Sequence, residues 1–369
     1  MRPRVFFTNF RANPKKNLLE KLRTLYLRAE FDKVFDESDR VAVKMHWGEK
    51  GNTSFIPVPF VRTILDEVKK SSQNVFVTDT NTLYTGERKN AIENIRTAAH
   101  NGFTLESLGT PIIVADGLIG TDSVEVEINK DYIKRAKIAG SIFHSTGMVV
   151  ISHFKGHMLF SFGGAIKNLG MGCATSAGKQ VLHSDVKPSV DPESCKGDSI
   201  CIRHCPVKCI SLGEDKKAYI DQSRCIGCGE CIVVCPHRAI PENWKTASEP
   251  LQCKTAEYAL AAVSNKQGKV IYFNFLMNIT ADCDCCDWSD NRLAPDIGIL
   301  ASKDPVAIDA ASIYLFNKAP ISPLSVMEKH QGAVDKLKAL RPKIDYTILL
   351  RHAEYIGLGS RNFELIEIN

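Results

Sequence analysis

Eight of the thirteen cysteines fall between Cys195 and Cys235, and their spacing suits thiolates gathered around metal. Shifted by 30 residues, the segment overlays itself: Asp191 meets Asp221, Cys195 meets Cys225, Gly197 meets Gly227 and Cys201 meets Cys231. Cys205 then meets Cys235, Pro206 meets Pro236 and Ile210 meets Ile240, without a gap, which marks a duplicated unit. The second copy reads Cys225-x2-Cys228-x2-Cys231-x3-Cys235-Pro236. Thiolates this close on a tight loop can gather around one metal group. In a reducing compartment clustered cysteines bind metal or do redox chemistry more often than they form disulfides.

This run resembles that of the bacterial two-cluster ferredoxins, in which the fourth cysteine of each run ligates the other cluster. The resemblance implies one 4Fe-4S cluster on Cys225, Cys228, Cys231 and Cys205, and a second on Cys195, Cys201 and Cys235. Asp198 stands where the second copy has Cys228. A hard carboxylate holds a soft iron–sulfur site less firmly than thiolate does, so the second cluster is expected as 4Fe-4S with an Asp198 ligand or as 3Fe-4S. Cys209, at the position of Ala239, is the alternative fourth ligand. Zinc is the other use of Cys-x2-Cys pairs, but a zinc site gives no reason for a duplicated run with proline after each fourth cysteine.

Three further segments are chemically dense. Lys44-Met-His46-Trp-Gly-Glu49 ends an apolar strand-like run, where open parallel sheets place ligand sites. Lys44 is read as a cofactor-binding cation and His46 as a general base. The second segment runs from Ser152 to Cys173 and holds His153, Lys155, His157, Gly163, Gly164, Lys167 and Asn168. His153, His157 and Lys167 are candidate catalytic groups. Paired glycines before a helix expose backbone N–H groups to an anion, so Gly163, Gly164 and Asn168 are candidate cofactor-binding residues. Neither the G-x4-G-K-[ST] nor the G-x-G-x-x-G spacing is present, and no flavin or nicotinamide fingerprint is visible, which leaves a flavin open. In the third segment, Asp282-Cys283-Asp-Cys285-Cys286, the residues Cys283 and Cys285 suggest a third metal site, with Cys173, Cys253 or His183 as distant contributors.

These segments need elements to position them. Arg4–Phe7, Val41–His46, Asn74–Thr78 and Pro111–Ala115 read as strands alternating with helices over 14–30, 57–70 and 88–100. A strand at Gly147–Ser152 and a helix opening near Gly163 follow. After the Cys-rich stretch come a helix near 251–264, strands at 269–275 and 296–300, and a helix from Pro305. The expected fold is α/β, a largely parallel sheet (in one or two lobes) with an inserted α+β ferredoxin-like domain. Residues 1–187 and 246–369 would form the body and 188–245 the insert.

The composition, 44% hydrophobic and 24% charged, is that of a globular protein. The net charge of +5 comes without a basic block, so neither nucleic acid nor a membrane is an expected partner. No signal peptide and no long apolar run are evident, and the chain is read as cytoplasmic.

Several runs carry a wider resemblance: SHFKGHMLFSFGGAIKNLGMG (152–172), HSDVKP (183–188), the Cys-rich segment, DCDC (282–285) and ILASKDPVAIDAAS (299–312). Together they resemble domain-of-unknown-function family 362, whose members are iron–sulfur proteins without an agreed reaction; there a complete first cysteine run would be expected, and Asp198 departs from it. A shorter likeness, His157 and Lys167 in an FGG setting, is to the nickel-pincer lactate racemases, a two-lobed α/β family with an anionic substrate. The reading that follows is an iron–sulfur oxidoreductase that passes single electrons from a soluble low-potential partner protein to a cleft for a small anionic substrate or cofactor. A non-catalytic redox sensor or cluster carrier, and a racemase-like isomerase with structural clusters, are the alternatives.

Overall fold

The computed structural model describes residues 2–83, 86–183, 187–205, 207–225, 230–241, 248–266 and 268–368. Its strands are β1 (Arg4–Asn9), β2 (Val41–Lys44), β3 (Val75–Asp79), β4 (Ile112–Val114), β5 (Ser123–Glu127), β6 (Arg135–Ala139) and β7 (Gly147–His153). They continue with β8 (Lys155–His157), β9 (Ser161–Gly163), β10 (Ile210–Leu212), β11 (Ala218–Ile220), β12 (Val270–Leu276), β13 (Gly298–Ser302) and β14 (Glu364–Glu367).

Eight of these form one sheet in the order β14-β1-β13-β12-β7-β2-β3-β4. The run β12-β7-β2-β3-β4 is parallel, and β13 lies antiparallel to both neighbours. Strands β2, β7, β12 and β13 are buried along their whole length, as expected of a sheet covered on both faces. Alternation along the strands divides two cores. Met148, Val150 and Tyr272 face one, with Leu169, Ala259 and Ile308 from helices Ala165–Gly170, Ser248–Val263 and Pro305–Lys318. Val149, Ile151 and Phe273 face the other, with Leu25 and Ile64 from helices Leu18–Arg28 and Val58–Val68.

The sheet is the largely parallel α/β core that the alternating pattern predicts. The antiparallel pairs β5–β6 and β8–β9 and the edge strand β14 were not expected. These are short, and β5 and β14 are only partly buried, so they lack the long apolar run that announces a buried strand. The Cys-rich segment carries the small β10–β11 sheet and a separate apolar cluster of Cys201, Cys209, Cys225 and Cys231 with four isoleucines and Leu83. Among the described residues no helix is long and apolar enough to cross a membrane.

Helix Ala165–Gly170 sits directly on helix Ser248–Val263, and a Cβ at Gly170 would run into the backbone carbonyl of Thr255. Backbone cannot swing aside as a flexible side chain can. Gly170→Ala is therefore expected to destabilise the protein by about 1–3 kcal/mol in urea unfolding.

Candidate functional site

The parallel strands β2, β3, β7 and β12 end on the same edge of the sheet, and the chemically dense segments meet there around a cavity of about 330 Å³. Lys44 ends β2 and Asp79 ends β3. The Lys44 ammonium lies 2.8 Å from Asp79 Oδ1 and donates to Asn168 Oδ1 at 2.7 Å. Asp79 Oδ2 takes a bond from Arg88 Nη1 at 3.1 Å, and Arg88 Nε reaches Glu49 Oε2 at 3.3 Å. Burial opposes the charge on Asp79, but Lys44 and Arg88 outweigh it and hold the carboxyl at about 2. His46 Nδ1 accepts the Gly48 N–H at 2.9 Å, and its Nε2 lies 2.9 Å from Arg88 Nη2. Burial and the Arg88 charge push it down to about 3 and keep the ring neutral.

His153, at the end of β7, faces acceptors instead. Its Nδ1 lies 2.9 Å from the Asp284 carboxylate and its Nε2 2.7 Å from the Met277 carbonyl, so both nitrogens donate and neither is left for a substrate. Asp284 also pairs with Lys155 at 3.2 Å and accepts from Ser54 Oγ at 3.2 Å. Despite its complete burial, His153 and Lys155 hold its carboxyl well below the usual range. The arrangement makes His153 a positioning group for the turn that carries the cysteines.

That turn is closed by the Cys286 N–H bonding the Cys283 carbonyl at 2.9 Å. Asp284 points to His153, while Cys283 and Cys285 line the cavity. His157 Nδ1 accepts the backbone N–H groups of Leu159 and Phe160 at 3.0 and 3.3 Å, which leaves Nε2 to pair with Cys283. Lys167 Nζ lies 3.7 Å from Cys283 Sγ. The thiol of Cys285 bonds Cys283, and this bond, with Lys167, Lys155 and His157, depresses the Cys283 thiol well below the ordinary value against the opposing effect of burial. Ligand atoms of His157, Cys283 and Cys285 lie within 4.8 Å of one another, a group that can hold a metal ion. Neither Cys173 nor Cys253 joins it: Cys173 lies in the sheet core and Cys253 beside His352.

Gly163, Gly164, Asn168 and His183 complete the wall. Gly164 is required by a close approach, since a Cβ there would strike the Asp309 carboxylate. That carboxylate accepts the N–H groups of Ala165 and Ile166 at 2.7 and 3.0 Å, so the N–H groups expected to cradle an anion are taken by the protein's own acid. Lys179 also lines the cavity and rests on neutral acceptors, Thr80 Oγ1 at 2.6 Å and the carbonyls of Asn81 and Ala174. Sequence reasoning missed Asp79, Arg88, Lys179 and Asp309. Only Asp79 carried a signal, an acid at the end of a predicted parallel strand.

In the Cys-rich segment Cys195, Asp198, Cys201 and Cys235 line one small hollow, together with His237. Asp198 Oδ2 lies 3.3 Å from His237 Nε2. Cys205 Sγ and Cys209 Sγ are 3.5 Å apart, and Cys209 also bonds Cys225. Cys209 thus sits with the other set, away from the Asp198 hollow where it was the alternative ligand. Cys228 lies outside the described residues.

A family model described as "Domain of unknown function (DUF362)" matches residues 41–314. No curated protein matches. The solved structure of the lactate racemase apoprotein from Thermoanaerobacterium thermosaccharolyticum is similar at 11% identity and a TM-score of 0.37. The match covers 74% of this chain and 50% of that one, so this chain spans about half of that protein's length. At that score the likeness carries no argument about chemistry.

Asp79→Asn would leave Lys44 and Arg88 buried without their shared partner, at an expected cost of about 3–5 kcal/mol in denaturant unfolding. With the carboxyl at about 2 rather than 3.8, the stability it contributes is complete above pH 3.8 and lost as pH falls through about 2. Burial also depresses His183, to about 3. Unfolded histidines take protons near 6.5 while His46 and His183 do not, so Tm should fall as pH drops from 6.5 toward 3. His183→Gln should flatten that slope in thermal scans against pH.

Proposed function

Because the chain belongs to the family Domain of unknown function (DUF362), we propose from its own residues that it is an iron–sulfur protein that passes single electrons to a small anionic substrate in the cavity. In this reading residues 188–245 are an inserted relay within a body formed by 1–187 and 246–369, and the electrons come from a soluble low-potential protein. Cys195, Asp198, Cys201 and Cys235 would hold one cluster, and Cys205, Cys225, Cys228 and Cys231 the other.

The described residues fit such groups. No two described cysteines form a disulfide, and backbone N–H groups point at cysteine sulfur, Ala218 at Cys195 (3.4 Å) and Cys209 at Cys205 (3.3 Å). The apolar cluster of this segment is mostly cysteines and four isoleucines, a core too small to hold a short segment without a staple such as a metal group. Bound clusters would store and release electrons one at a time.

The observation that carries the reading is the position of Leu83. It lines the cavity and also belongs to the apolar cluster of Cys201, Cys209, Cys225 and Cys231. Helix Ser176–His183, which brings Lys179 and His183 to the cavity, contacts helix Glu230–Val234, which carries Cys231. The Cys-rich segment thus abuts the chamber. Lys44 and Arg88 are paired with Asp79 and Glu49, and Lys155 with Asp284; Lys167 and Lys179 also line the chamber and favour an anion there.

Anaerobic EPR of the purified protein, with iron and sulfide counted, tests the relay. Two clusters are expected, one giving a three-iron signal as isolated, and Asp198→Cys should convert that signal to the four-iron type. Zinc in place of iron in anaerobically prepared protein would overturn the reading.

A further inference from the structure

Clusters deliver electrons singly, whereas most small molecules are reduced in pairs, and the cavity holds a group able to make that conversion. The turn at Cys283–Cys286 directs two thiols, Cys283 and Cys285, into the cavity as hydrogen-bonded neighbours. Donors converge on the first of them. Lys167 Nζ lies 3.7 Å from its sulfur, and His157 faces it with the one ring nitrogen that the backbone leaves over. With Nδ1 accepting two N–H bonds, the neutral ring carries its proton on Nε2 and donates toward Cys283. A metal at that point would have to displace this proton and sit beside the Lys167 ammonium. A thiolate needs neither change, and thiolates in such cationic settings are the reactive ones.

We propose that Cys283 and Cys285 are a redox-active dithiol that reduces a small anionic disulfide, with Cys283 as the nucleophile and Cys285 as the resolving thiol. The Cys283 thiolate attacks one sulfur of the substrate disulfide, forming a mixed disulfide and releasing the first product thiolate, which takes up a proton. Cys285 then gives up its proton and displaces the second product thiol, leaving a Cys283–Cys285 disulfide. Two electrons and a proton return that disulfide to the Cys283 thiolate and the Cys285 thiol. This last step rests on the relay proposed above, which supplies the two electrons one after the other from the low-potential donor. Lys167 and Lys179 set the preference for a substrate carrying carboxylates.

The test uses full-length, cluster-loaded protein under anaerobic conditions, with dithiodiglycolate as the anionic disulfide and cystamine as its cationic counterpart. Mass spectrometry should find Cys285→Ser stalled as a mixed disulfide on Cys283, while Cys283→Ser gives no adduct in the cavity. The dianion should react with wild type at least about tenfold faster than the dication at low salt. Adducts indifferent to Cys283→Ser, equal rates for the two disulfides, or thiols that react only after a chelator removes bound metal would each overturn the proposal. Adduct formation is also read on dithiothreitol-reduced protein whatever its iron content. Loss of the relay would therefore abolish donor-driven turnover but not the adduct, and the two failures are distinguishable. Iron and sulfide counts that stay unchanged in both serine variants show that the fold and the clusters are intact.

Discussion

The carboxylate of Asp284 is fully buried, and the site is assembled around it. It binds His153 at the end of β7, Lys155 at the start of β8 and Ser54 from the loop after β2, while its backbone carbonyl accepts the Glu49 N–H at 2.8 Å. A buried carboxylate persists as a charge only when cations and donors surround it. Here two basic side chains come from one strand–turn–strand unit and the acid from a turn more than a hundred residues later. The turn is thereby fixed in the direction that sends Cys283 and Cys285 into the cavity.

A second buried acid works in parallel. Asp79 draws Lys44 and Arg88 together, Arg88 reaches Glu49, and Lys44 reaches Asn168. A third, Asp309, caps helix Ala165–Gly170 from the opposite layer. Asp284 and Asp79 hold cationic side chains along the cavity wall, whereas Asp309 binds only backbone N–H groups and the Asn274 amide. Asp79 itself lines the cavity, while Asp284 and Asp309 sit behind its wall.

The Cys-rich segment meets this chamber through apolar contacts at Leu83 and helix packing. The cysteines of the duplicated runs stay with their own apolar cluster, while Cys283 and Cys285 belong to the sheet edge.

The sequence alone determined the parallel core, because buried strands need apolar runs and covering helices need a 3.6-residue period, and both are local patterns. It also determined which cysteines form repeated runs, since a duplication is visible as spacing, and it marked Lys44, His46, His153, His157 and Lys167 as neighbours of strand ends. Their partners were decided only by tertiary structure. That His153 donates twice and is spent on Asp284, that His157 turns to Cys283, and that the glycine-rich helix start is already capped by Asp309 all depend on contacts across layers. Hydrogen bonds between residues more than a hundred positions apart leave no trace in periodicity or composition. A histidine's chemistry is set by what faces its two nitrogens, and that is known only when the chain has closed around it.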